Sequence, residues 1–108
     1  MLKADLTVPD RIALLGILPQ SGSVLTLRAM VDVRLALSFS EAELSHLSLT
    51  QTHDRVSWHE PEPASPYSKT VEFGDYTIGL IRAALQHLND TNSLKPEHLR
   101  LWEMFVEG

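Results

Sequence analysis

The fifteen residues from Ser23 to Leu37, SVLTLRAMVDVRLAL, constrain the fold more than any other stretch of the chain. At 100° per residue its apolar side chains form two adjacent ridges, Val24, Leu27, Val31 and Leu35 on one and Met30, Val33 and Leu37 on the other. Only Arg28 and Asp32 mark a wet face. Arg34 is the one charged residue that points into the apolar arc; its methylenes can pack while the guanidinium reaches a carboxylate or a helix end, or it can anchor an interface. A helix apolar over more than half its circumference has to be covered from two or more sides. The pattern therefore predicts a central core helix with Leu27 and Val31 fully buried.

Helix starts punctuate the segments around it. Leu6-Thr-Val-Pro-Asp10 sets Thr7 as an N-cap, Pro9 in the first turn where its missing N–H costs nothing, and Asp10 at the third position. A helix runs from there to about Leu18, with Val8, Ile12 and Leu15 on one face, Leu14 and Leu18 flanking, and Pro19 closing it. The Gln20-Ser-Gly-Ser23 connection is short, so the first two helices lie side by side with Ser23 capping the second. Ser40-Glu-Ala-Glu43 is a capping box and predicts a short third helix over about 41 to 46.

Leu47 to Glu60 carries the strongest β pattern. With a turn at Thr52 to Arg55, Gln51 pairs with Val56, Leu49 with Trp58 and Leu47 with Glu60. Leu47, Leu49, Val56 and Trp58 then share one face, and Ser48, Thr50, Ser57 and His59 the other. Glu60 to Lys69 contains Pro61, Pro63 and Pro66 and reads as a surface loop. Val71 and Phe73 alternate about Glu72 in a third strand, and a helix over about 76 to 89 turns Ile78, Ile81, Leu85 and Leu88 inward. A last helix from near Pro96 presents Leu99, Leu101, Trp102, Phe105 and Val106 on one side. The order is α, α, short α, β, β, β, α, α. It predicts one α+β domain over residues 1–108, with helices packed on one face of a small three-stranded antiparallel sheet.

Charge and residue usage narrow the function. The chain has no cysteine, which removes disulfides, thiolate catalysis and Cys-ligated metals. The longest apolar run, Ile12 to Leu18, is far shorter than the roughly 20 residues of a membrane helix, and the N-terminus lacks the apolar region of a signal peptide. The expected setting is cytoplasmic, without a membrane partner. Net charge is −5, and between residues 38 and 75 seven acidic side chains face two basic ones. Nowhere do Lys and Arg cluster as they do on a phosphate-binding surface, so nucleic acid is not an expected partner.

The candidate chemistry has bland readings. His46, His53 and His59 lie within fourteen residues, but in the hairpin register His53 sits at the turn tip and His59 about 15 to 20 Å away along the strand. They read as solvated histidines rather than a metal site. Gln20-Ser-Gly-Ser23 lacks the glycine spacing and the lysine of a phosphate loop, and no Gly-x-Ser-x-Gly elbow occurs. Glu60 and Glu62 flank a proline as loop residues. The sequence thus implies no catalytic residue, metal or cofactor.

The run Leu6-Thr-Val with Arg11, the Leu14-Leu-Gly16 and Leu18-Pro19 pairings, Thr26-Leu27, Leu37-Ser-Phe-Ser-Glu41, Trp58, and the closing Leu101-Trp102 with Phe105-Val106 resemble small uncharacterised proteins of tailed bacteriophages and prophages. The resemblance spans most of the chain, consists of core and cap residues, and implies a genome context but no reaction.

Two classes of function remain. The first is a non-enzymatic interaction or assembly protein that self-associates, most simply as a two-fold dimer, with Trp102 and Phe105 as aromatic anchors and Arg34 as a further contact. The alternative is a winged-helix-like DNA-binding regulator, since helices followed by a hairpin imitate that topology. Against it, the would-be recognition helix carries Glu41 and Glu43 and neither Arg nor Lys, and the hairpin offers only Arg55.

Overall fold

A computed structural model describes residues 1–52, 55–60 and 66–107. His53 at the expected turn tip and Glu62 in the proline-rich loop lie outside the described residues. A strand missing from the expected element order, β1 (Leu2–Thr7), precedes the helix start at Thr7. Its side chains alternate, with Ala4 and Leu6 buried and Lys3 and Asp5 exposed, the period-two pattern of a half-covered strand. β1 pairs antiparallel along its whole length with β4 (Ser68–Phe73), from Leu2 opposite Phe73 to Thr7 opposite Ser68.

Thr7 ends β1 and caps α1 (Val8–Ile17) in a reciprocal box with Asp10. Pro19 follows, the chain bends at Gln20 and Ser21, and Gly22 leads to Ser23. Gly22 has φ +154, and a Cβ there would lie 2.9 Å from Thr26 Cγ2. Ser23 accepts from the Thr26 N–H and starts α2 (Val24–Leu37). A second reciprocal box, Ser40 with Glu43, starts α3 (Glu41–His46). The expected hairpin follows in the expected register, Gln51 opposite Val56, as the two-residue strands β2 (Thr50–Gln51) and β3 (Val56–Ser57). Leu47, Leu49, Val56 and Trp58 turn inward to differing depths, while Ser48, Thr50, Ser57 and His59 are exposed. α4 (Asp75–Asp90) buries Ile78, Ile81 and Leu85. It ends at Asn92, whose positive φ of 55 suits the left-handed turn after a helix. A 3₁₀ turn (Pro96–His98), α5 (Leu99–Trp102) and a π-helical turn (Glu103–Glu107) complete the chain.

The sheet and the central helix both depart from expectation. Among the described residues the strands form two separate two-stranded sheets, β1 with β4 and β2 with β3, rather than one three-stranded sheet. β4 pairs with β1, whose six residues match it in length and alternation, and the hairpin strands pair with each other. The second correction concerns α2. Its buried residues are Thr26, Met30, Val33 and Leu37, while Leu27 and Val31, expected at the centre of the core, are exposed. α2 packs on α1, α4 and β4. All three lie on one side of it, so only one of its two apolar ridges is covered.

The core lies where α1, α4 and the C-terminal turns close over the β1–β4 ribbon, with Leu6, Leu14, Leu37, Phe73, Ile81, Leu85, Leu101 and Phe105 almost wholly excluded from solvent. Phe73 and Phe105 meet edge-on, ring centroids 5.1 Å apart at 85°. Leu99, expected on the inner side of the last helix, is exposed instead.

Candidate functional site

The most deeply buried polar group is Arg11, which only the family resemblance had singled out. Its side chain is wholly excluded from solvent. Nη1 donates to Glu43 Oε2 at 2.6 Å and Nη2 to Glu43 Oε1 at 3.2 Å, a forked pair; Nε donates to the Leu37 carbonyl at 3.1 Å and Nη2 also to the Ser38 carbonyl. The guanidinium lies 3.9 Å above the Phe39 ring. Arg11 therefore ties α1 to the start of α3 and neutralises the carbonyl end of α2, where Lys69 also donates to Ala36 O at 2.9 Å.

Glu43 completes the group. Besides Arg11 and the Ser40 N–H, it accepts from the Tyr67 hydroxyl at 2.7 Å. The hydrogen bonds from Arg11 hold its pKa down to about 2 against the opposing effect of burial, with the Ser40 N–H and Tyr67 adding to the depression. The same Glu43 contact, with burial, raises the Tyr67 phenol. Both groups are thereby fixed in one protonation state across the neutral range, the behaviour of a structural clamp rather than of a proton shuttle. Glu60 plays a similar part in its loop, accepting from Trp58 Nε1 at 3.0 Å and from the Tyr67 N–H at 2.9 Å. Asp10, also buried, holds Arg100 at 3.1 Å.

The other residues singled out in the sequence are scattered. His46 packs its ring edge toward Tyr67, and His59 is exposed at the end of the hairpin. No three acidic or histidine side chains among the described residues converge into a metal-binding group. Arg34 reaches back along α1 and donates to the Pro19 carbonyl at 3.4 Å, the helix-end contact open to it from its place in the apolar arc. Trp102 is half-buried. Phe105, expected as an interface anchor, is fully buried against Phe73, and its carbonyl accepts from Arg82; the π-helical turn tucks it into this chain's own core, out of a partner's reach.

What remains open on the surface is the outer face of α2. Val24, Leu25, Leu27, Val31 and Leu35 are 42–69% exposed. Four of them, all but Leu25, fall within an arc of about 80° whose centre lies about 135° around the helix from the centre of the buried residues. Together they expose on the order of several hundred Å² of aliphatic surface, a large patch for a monomer. A groove of about 510 Å³ runs along one flank, between α2 and the β4–α4 junction, lined by Leu25, Arg28, Asp32, Phe73 and Tyr76 among others. On the other flank a hollow of about 330 Å³ is bounded by Pro19, Gln20, Leu27, Met30, Val31 and Arg34. The helix is held rigidly beneath: Ser23 caps it, Thr26 Oγ1 and Tyr76 Oη lie 2.8 Å apart, and Arg11 and Lys69 hold its far end. Val24, Leu27, Val31 and Leu35 thus stand along one exposed face of a helix that is held at both ends.

Among the described residues no helix is long and apolar enough to cross a membrane. No family model matches the chain, and neither a curated protein nor a solved structure matches it.

Proposed function

We propose that this chain is a non-enzymatic interaction and assembly protein, encoded in a phage or prophage genome, that works through protein–protein contacts. One observation carries the reading: α2 is capped, anchored at both ends and packed on one side, yet presents five Val and Leu side chains to solvent. Aliphatic side chains left in water cost about 25 cal/mol per Å² relative to burial, so a covering partner gains what the monomer forgoes. Duplex DNA does not fit this face or α3. Glu43 of α3 is turned inward onto Arg11, and its exposed residues include Glu41 and neither Arg nor Lys.

The test is a photo-crosslinking amino acid placed at Val31 or Leu35, compared with the same group at exposed Glu103, in cells of the native source. Covalent protein adducts concentrated on the two α2 positions are the expected result. Equal or absent adduction at all three positions would overturn the proposal. A gel shift at about 100 mM salt is expected to give no sequence-dependent complex tighter than the 10⁻⁴ to 10⁻⁶ M typical of nonspecific binding.

A further inference from the structure

We propose that the partner on the outer face of α2 is a second copy of this chain, docked antiparallel about a two-fold axis that crosses the helix near Met30. The proposal rests on the interaction reading above and adds the identity of the partner and the register.

A two-fold interface brings one patch against itself, so the patch has to be self-complementary. When two helices pack antiparallel about an axis perpendicular to both, residues on one edge of the first face residues on the same edge of the second, in reversed order. The aliphatic ridge runs from Val24 to Leu35, with its midpoint between Ala29 and Met30. Arg28 and Asp32 are exposed, one turn apart on a single edge of that ridge, and their midpoint is Met30. The two midpoints differ by half a residue, less than about 1 Å at the helical rise. A single axis therefore stacks the ridge on its copy and sets Arg28 of each copy opposite Asp32 of the other. Parallel packing, with the axis along the helices, would set this edge against the partner's other edge, and the reciprocal pairing of Arg28 with Asp32 would be lost.

The other edge is consistent with the same axis. The hollow there includes Leu27, Met30, Val31 and Arg34, the i, i+3, i+4, i+7 diamond that receives a side chain in helix–helix packing, and its centre again falls beside Met30. Arg34 at the rim of that hollow donates to the Pro19 carbonyl on the same rim, which gives its guanidinium a partner within its own chain. Leu25 and the half-exposed Tyr76 extend the contact beyond Arg28. Two helices about 21 Å long with these flanks bring the area toward the roughly 800 Å² per partner of a stable interface.

The chain has no cysteine, so introduced thiols report the register directly. Light scattering from roughly 1 to 100 μM should follow a monomer of 12.1 kDa going to twice that mass, with Kd in the micromolar range of a small interface. Val31→Glu with Leu35→Glu should abolish the dimer while leaving the circular dichroism unchanged. Asp32→Arg and Arg28→Asp should each weaken association by about tenfold or more, and the doubly swapped chain should recover it, because the swap restores opposite charges across the axis. On oxidation, Val24→Cys mixed with Leu35→Cys should form a mixed disulfide dimer, and Val24→Cys alone should not. Crosslinking of Val24→Cys to itself, or a charge swap that fails to recover association, overturns the antiparallel register. A wild-type monomer at 100 μM whose Val31 crosslinker still captures a different protein in cells overturns self-pairing and leaves the interaction reading intact. A monomer with no α2-directed adduct overturns both.

Discussion

Helices α1 and α2 lie against each other and are of similar apolar character, yet they treat charge and hydrocarbon in opposite ways. α1 buries Arg11 and Asp10, and α2 leaves Leu35 and Val24 more than 60% exposed. The difference lies in what surrounds each helix. α1 is enclosed by β1, α2, α4, α5 and the 3₁₀ turn that precedes it, so even its polar positions face protein and have to be matched there. Arg11 finds a forked carboxylate, two carbonyls and an aromatic face. α2 is backed on one side only, and nothing among the described residues covers its second ridge. Burial in a domain this small thus follows the placement of neighbours more closely than it follows hydropathy.

The comparison is broken most severely at its polar end. Glu43→Ala leaves the wholly buried Arg11 guanidinium without its counter-charge, and the expected loss in urea unfolding is about 3 to 5 kcal/mol. Replacing both partners, Arg11→Met with Glu43→Leu, should recover most of that loss, because an apolar pair of similar volume has no desolvation cost. If the double variant is as unstable as the single one, the carbonyl contacts of Arg11 and not the ion pair hold the helices together.

Next in size is the contrast within α2 itself. Leu37 is fully buried, and Leu37→Ala is expected to cost about 2 to 5 kcal/mol through lost burial and the cavity left behind. Equal losses from Leu37→Ala and Leu35→Ala would mean that both ridges are covered and would remove the basis for the proposed interface.

Acid sharpens the same contrast. The Glu43 pKa is depressed from 4.5 to about 2 in the folded chain. Its contribution is therefore present in full above pH 4.5 and disappears as pH falls through about 2, amounting to about 3 kcal/mol at 1.36 kcal/mol per unit. Stability measured between pH 6 and pH 2 should fall in wild type, and the fall should be smaller by about that amount in the Arg11→Met, Glu43→Leu chain.

The smallest effects belong to the exposed ridge. Leu27→Ala and Leu35→Ala should each change unfolding free energy by less than about 1 kcal/mol when measured near 1 μM, below the proposed association, as surface substitutions do. At tens of micromolar the same substitutions should lower the midpoint further, since a partner that binds only the folded chain adds stability by mass action.

The local signals in the sequence were sufficient for local structure. Thr7, Ser23 and Ser40 cap the helices they were expected to cap, because a capping contact spans three residues and needs no information from elsewhere. The hairpin register of Gln51 with Val56 and the inner face of α4 were legible for the same reason, each being set by a period within a few turns of chain. β1 was also legible, in the alternation of Leu2, Ala4 and Leu6, but the helix-start motif at Thr7 drew the reading past it. Its partner lies more than sixty residues away, and no periodicity specifies which strand will take which edge. The sequence alone determined that α2 has two apolar ridges. Only the tertiary structure decided which one is covered, because the choice depends on where α1, α4 and β4 converge, and it left Arg11 inside and Val31 outside for the same reason.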